Sequence, residues 1–141
     1  MSNKAAPKMS SKECNCLCGA VSVTVSGVDK GAVLCHCTNC QKSSGSAFMH
    51  NYRFMKSDIK VHKGEDKIRE FKDTNTKSRA TLLRHFCSVC GSPLYVKPLA
   101  FEDLTIVHCS SAGDRTQPQF ELFEENKHSW IGKLSSKRAS L

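Results

Sequence analysis

Ala20-Val21-Ser22-Val23-Thr24-Val25-Ser26 decides the fold class. Val21, Val23 and Val25 fall on one face and Ser22, Thr24 and Ser26 on the other, a period of two that a helix does not produce. Working outward, weaker strand signals lie at Ser46–Phe54, Lys67–Phe71, Ala80–Phe86, Ser92–Val96, Leu104–Cys109 and Phe120–Phe123. Gly27, Gly31, Gly45, Gly64, Gly91 and Gly113 fall between or beside them and read as turns. No stretch sustains helical periodicity. The expectation is a mainly β chain with little helix, at most one short helical turn after Cys40.

With 141 residues the chain has the length of one domain. Residues 1–12 (MSNKAAPKMSSK) and 135–141 (SSKRASL) read as flexible tails around a domain at 13–134. The first has no apolar run fit for a signal-peptide core, and no window approaches a membrane span. The setting expected is therefore reducing and cytoplasmic, or nuclear, without membrane association.

The formal charge is +8, from 21 Lys and Arg against 13 Asp and Glu. The densest basic stretch, Arg53 to Arg84, has ten basic and five acidic residues but lacks the aromatic interleaving of a base-stacking surface. Nucleic acid is therefore not the expected partner.

The nine cysteines are more informative. Seven form three clusters: Cys16-Leu17-Cys18-Gly19, Cys35-His36-Cys37-Thr38-Asn39-Cys40 and Cys87-Ser88-Val89-Cys90-Gly91. In a reducing setting, thiols two or three positions apart on tight turns are suited to a metal ion. A glycine after the last ligand, at Gly19 and Gly91, allows a positive φ that turns amide hydrogens toward the sulfurs.

The first and third clusters together offer four thiolates, a closed structural zinc site. The middle one offers three, leaving a position for substrate. Three thiolates make zinc a weak Lewis acid, better suited to holding an incoming thiol than to making hydroxide. Loading both sites would bring the net charge down to about +5. Other readings stay open: a redox C-x-x-C, an iron–sulfur cluster, or purely structural sites with His36 or a distant histidine as the missing ligand. Cys14 and Cys109 lie outside the pattern and read as ordinary small buried residues. Trp130 reads as a packing anchor.

These clusters and their flanks resemble the family of glutathione-dependent formaldehyde-activating enzymes, whose relatives include centromere protein V. The resemblance runs from about Cys14 to Lys133. It also rests on Gln41-Lys42-Ser43-Ser44-Gly45-Ser46-Ala47-Phe48, Gly91-Ser92-Pro93-Leu94, Pro118-Gln119-Phe120-Glu121-Leu122-Phe123 and Ser129-Trp130. It implies a β-tent fold with two zinc ions per chain. Structural zinc would sit on Cys16, Cys18, Cys87 and Cys90, and catalytic zinc on Cys35, Cys37 and Cys40. It also implies carbon–sulfur lyase chemistry, in which glutathione adds to a small aldehyde such as formaldehyde or its adduct is cleaved in reverse. A non-enzymatic zinc module that binds nucleic acid or protein, as centromere protein V suggests, is the alternative. Ser44, Gly45 and Ser46 are expected substrate contacts and His50 a possible proton carrier. Two departures stand out: Glu121 replaces a common histidine, and Ser110-Ser111-Ala112-Gly113-Asp114 stands near where Gly-Ser-Leu-Asp is frequent.

Overall fold

In the computed structural model, which describes residues 5–134, the chain forms one mostly antiparallel sheet. Its strands are β1 (Met9–Asn15), β2 (Ser22–Cys35), β3 (Met49–Lys63), β4 (Ile68–Asp73), β5 (Leu82–Cys87), β6 (Pro93–Pro98), β7 (Thr105–His108) and β8 (Glu121–Leu122). They are ordered β1-β2-β3-β7-β6-β5-β4, with β8 pairing parallel to the end of β2. One helix, α1 (Thr38–Ser44), and two short 3-10 turns, Glu65–Lys67 and Glu124–Asn126, are the helical elements among the described residues. The expected mainly β chain with little helix is what forms. The helical turn begins before Cys40 rather than after it.

The valine alternation at 21–25 is realised as drawn: Val21, Val23 and Val25 are fully buried, while Ser22, Thr24 and Ser26 are partly exposed. They pack with Phe54, Leu94 and Val107 into the main core. Each such side chain, moved from water into a packed interior, contributes roughly 1.5–3 kcal/mol.

Two expectations are corrected. The flexible tail was drawn to residue 12, yet β1 begins at Met9 and pairs with β2 in register, Met9 opposite Val28 through Asn15 opposite Ser22. Its sequence, MSSKECN, buries only Cys14, so no hydrophobic pattern announces it. Backbone pairing along an exposed edge holds it, and charged residues on such an edge deter further strand addition. Lys12 also lies over the Tyr52 ring at 4.5 Å and pairs with Asp114 at 2.5 Å. The other tail, 135–141, lies outside the described residues.

The second correction concerns Gly27 and Gly31, which are bulges inside a 14-residue strand rather than turns. Register against β3 shifts between Ser26 and Val28 and again between Asp29 and Ala32. Gly27 has φ +156°, and a Cβ there would come within 2.6 Å of the Met55 carbonyl oxygen. Only glycine permits that approach, and the bulge bends the strand instead of ending it. Past the bulges, Gly31–Cys35 is buried throughout and leads straight into the middle cysteine cluster.

Asp29 anchors this bend, accepting hydrogen bonds from Tyr52 Oη at 2.6 Å, Ser10 Oγ at 2.9 Å and Gly31 N–H at 2.9 Å. Burial alone would raise its pKa, but these donors and Lys8 outweigh it and hold the carboxyl below its ordinary value of 3.8. A depressed folded-state value means the stabilisation is complete above pH ~4 and fades as the pH drops through the lower value. Asp29→Asn is therefore expected to be less stable than the parent at pH 7. Acid unfolding followed by circular dichroism should show the two curves converging below pH ~3.

Among the described residues, no helix is long and apolar enough to cross a membrane.

Candidate metal centres and active site

The sheet order places the β1–β2 and β5–β6 turns near opposite ends of the strand series, yet their cysteines meet. Cys16 Sγ is 3.6 Å from Cys18 Sγ, and Cys18 Sγ is 3.8 Å from Cys87 Sγ. With Cys90, these four sulfurs lie within 4.8 Å of one another. The sheet must curve for this to happen, and the cluster fastens the curve. Gly19 and Gly91 take φ of +76° and +74° as the motif requires. The Val21 amide then donates to Cys16 Sγ at 3.2 Å.

The middle cluster is built differently. Cys35 closes β2, Cys37 caps α1 by accepting the Cys40 N–H on its sulfur at 3.3 Å, and Cys40 lies one turn on. Cys35 Sγ and Cys37 Sγ are 3.4 Å apart, and all three thiols are buried and within 4.8 Å of one another. Hydrogen bonds from Cys35 and Cys40 hold Cys37 down to about 2, whereas Cys40 is pushed well up by Cys35 and Cys37.

Tetrahedral zinc with bonds near 2.3 Å sets its sulfurs about 3.8 Å apart, so both donor sets fit such an ion. Among the described residues no histidine, carboxylate or further thiol joins either group. His36 is turned elsewhere: fully buried, it meets Glu121 Oε1 through Nε2 at 2.9 Å and sets its ring edgewise to Phe48. It does not complete the three-sulfur set.

Arg84 was not singled out from the sequence. It is 8% exposed on β5, its Nε donates to Asp73 Oδ2 at 2.8 Å, and it lines the same pocket as Cys40. Burial lowers its pKa, but Asp73 and Cys40 raise it further, so it stays charged. Asn39 Nδ2 holds the same carboxylate at 3.0 Å, joining α1 to the end of β4.

Two pockets share Arg84 in their walls. One, about 440 Å³, has a mixed lining that includes Asn39, Lys42, Ser43, His85 and His108 beside Phe71 and Phe86. His108 is buried, bonded through Nδ1 to Asn51 Oδ1 at 3.1 Å, and held neutral at about 4 by burial and then by Arg84. The other, about 330 Å³, contains the sulfurs of Cys35, Cys37 and Cys40 and is otherwise largely apolar.

Neither pocket takes in Ser44, Gly45, Ser46 or His50. The Ser44 hydroxyl sits 3.3 Å from the Gln41 carbonyl and 3.1 Å from that of Phe48, and accepts the Ser46 amide at 3.2 Å. Gly45 ends α1 at φ +64°. All three are committed to terminating the helix. His50 Nε2 donates to the Thr116 carbonyl at 2.9 Å. It alternates along β3 with Asn51 and Arg53, which face the cysteine pocket, so its side chain belongs to the opposite face.

The departing residues also have structural partners. Glu121 pairs with His36 and with Lys127 Nζ at 2.9 Å, and these contacts, Lys127 first, hold it down to about 2. Ser111 donates to the Pro93 carbonyl, and its own carbonyl accepts the Asn15 amide at 2.9 Å, securing the end of β1. Cys14 and Cys109 are core residues, each pushed up to about 12 by burial. Trp130 is 75% exposed with only a ring-edge contact to His128, so it does not anchor the packing.

Comparison with known proteins agrees with this geometry. The family described as "Glutathione-dependent formaldehyde-activating enzyme" matches residues 11–126. Proteins of Colletotrichum graminicola and Fusarium vanettenii, both named "Putative glutathione-dependent formaldehyde-activating enzyme", are each 30% identical over 115 residues, 78% of this chain. The chain spans 58% and 59% of their respective lengths. A crystal structure of a Rhodobacter sphaeroides protein shares the fold at TM-score 0.56 and 21% identity, over 70% of this chain and 85% of that one. The chain belongs to the family of glutathione-dependent formaldehyde-activating enzymes.

Proposed function

We propose that this chain is a zinc-dependent enzyme of the carbon–sulfur lyase type, joining a glutathione-type thiol to a small aldehyde such as formaldehyde or releasing it from the adduct. The observation that carries this reading is a buried three-thiol set without a fourth protein donor among the described residues, opening on a pocket beside a charged arginine. Cys16, Cys18, Cys87 and Cys90 would hold a structural zinc, and Cys35, Cys37 and Cys40 a catalytic one. Zinc at the second site supplies positive charge that favours the thiolate form of a bound thiol.

The protein's own residues do the rest. Arg84 and Lys42 in the larger pocket offer charge-assisted hydrogen bonds to the carboxylates of glutathione. Burial of the thiol set keeps water from competing for the aldehyde. In the addition, a C–S bond forms as the C=O π bond opens, and the thiol proton ends on the new hydroxyl. Cleavage returns that proton to sulfur. His50 and the Ser44–Ser46 segment take no part in this proposal, and their place passes to Ser43 and Lys42. Nine free thiols suit a reducing, cytoplasmic setting.

The test is metal analysis of the purified protein with NMR of glutathione and ¹³C-formaldehyde. Two zinc ions per chain and hydroxymethyl-thioether formation well above the uncatalysed rate are expected. A ratio near one, or salt-sensitive DNA binding without turnover, overturns the proposal.

A further inference from the structure

Formaldehyde has two heavy atoms, and the pocket over Cys35, Cys37 and Cys40 is far larger than it needs. A volume of about 330 Å³ corresponds to roughly ten waters at their share of about 30 Å³ in the liquid. Its wall is also the wrong kind for so small and polar a molecule. Val33 from β2, Leu82 from β5, Ile106 from β7, Leu104 and Phe101 from the turn before β7, and Phe123 after β8 converge on it. Phe101 remains 57% exposed. Apolar surface left open to water forgoes roughly 25 cal/mol for each Å² that a ligand could cover. A packed core would have closed the space, and five separate segments instead keep it open beside the sulfurs. Polar groups are sparse: Arg84 lines the same wall as Cys40, and Arg53 is held by its Nη2 donating to the Lys30 carbonyl at 2.7 Å. The site thus combines reactive sulfur chemistry with an apolar chamber of the size that holds larger organic groups.

We infer that the carbon partner of the thiol carries an aromatic or branched alkyl group of about six to ten carbons, seated against Val33, Leu82, Ile106 and Phe123. This rests on the thiol chemistry proposed above and specifies its substrate class. The aldehyde R–CHO accepts the thiol sulfur at its carbonyl carbon, the C=O π pair moves onto oxygen, and the thiol proton joins it there to leave a C–OH single bond. No oxidant or reductant enters. The reverse reaction splits the corresponding hydroxyalkyl thioether into thiol and aldehyde.

Binding by the intact zinc-loaded chain tests this without turnover. Calorimetry should find S-benzylglutathione bound at least tenfold more tightly than S-methylglutathione. Leu104→Trp, which fills the chamber, should remove that difference, and Phe101→Ala, at an exposed position, should reduce it several-fold. Circular dichroism and zinc content establish that each variant is folded. NMR then compares benzaldehyde with formaldehyde as partners of glutathione, benzaldehyde being expected to give the higher catalysed rate relative to its uncatalysed reaction. Equal affinities, or a benzyl preference that Leu104→Trp leaves intact, overturn the inference; continued formaldehyde turnover in that case leaves the thiol chemistry standing. A benzyl preference without turnover of either aldehyde supports the chamber but overturns the reaction. Self-association that competes with S-benzylglutathione would make the chamber an interface between copies and overturn it.

Discussion

Cys87→Ser is expected to destabilise the whole domain by roughly 4 kcal/mol. Cys87 is fully buried at the end of β5, and its sulfur lies 3.8 Å from that of Cys18 in the turn after β1. A metal ion on the four-sulfur set would close a loop of about 70 residues, for which the cross-link entropy formula gives a value of that size. The location makes the loss global. β1 begins the strand order and β5 is next to its far end, so this set joins regions that no strand pairing connects. Serine keeps the shape but is a poor zinc ligand. Urea unfolding checks the figure, and removing zinc from the parent with a strong chelator should cost about as much. A loss under about 1 kcal/mol would mean that sheet packing alone holds the curve.

Cys37→Ser should behave in the opposite way. Activity is expected to fall by about 100-fold or more, because loss even of residues that merely orient a metal ligand costs 10–100-fold. Zinc content should drop from two to one per chain. The fold should survive because Cys37 caps α1 by accepting the Cys40 amide, and serine is among the best residues at that position. Its melting temperature should therefore stay within about 5 °C of the parent. Cys37→Ala, which removes both ligand and cap, should add a loss of about 1 kcal/mol. If Cys37→Ser unfolded the chain as Cys87→Ser does, the middle cluster would be structural and the enzyme reading would fall. The two serine variants together separate the metal that holds the fold from the metal that serves the chemistry.

Arg84 shows why part of the site escaped the sequence. As one of 21 basic residues in a chain of +8, it carries no local mark. Its place comes from lying on β5 diagonally across from Asp73 of the neighbouring β4 and beside Cys40 of α1, a segment far earlier in the chain. His50 shows the complementary case. Proximity in sequence to the third cysteine made it a candidate, but strand alternation puts it on the other face of β3 from Asn51 and Arg53. Ser44, Gly45 and Ser46 were read as contacts where the chain uses them to end a helix.

Local pattern by itself determined the β class, through the valine alternation at 21–25, and the grouping of thiols within each turn, through cysteine spacing. Both are short-range properties: a pleat has period two, and two thiols on one turn face a common centre whatever surrounds them. Tertiary structure alone decided three things. It recruited the polar segment Met9–Asn15 as an edge strand through backbone hydrogen bonds, to which side-chain hydrophobicity contributes little. It converted Gly27 and Gly31 from apparent turns into bulges, because the partner backbone at Met55 lies too close for any Cβ at Gly27. And it opened an apolar chamber beside the three thiols, since a cavity belongs to the segments that converge on it and to none of them singly.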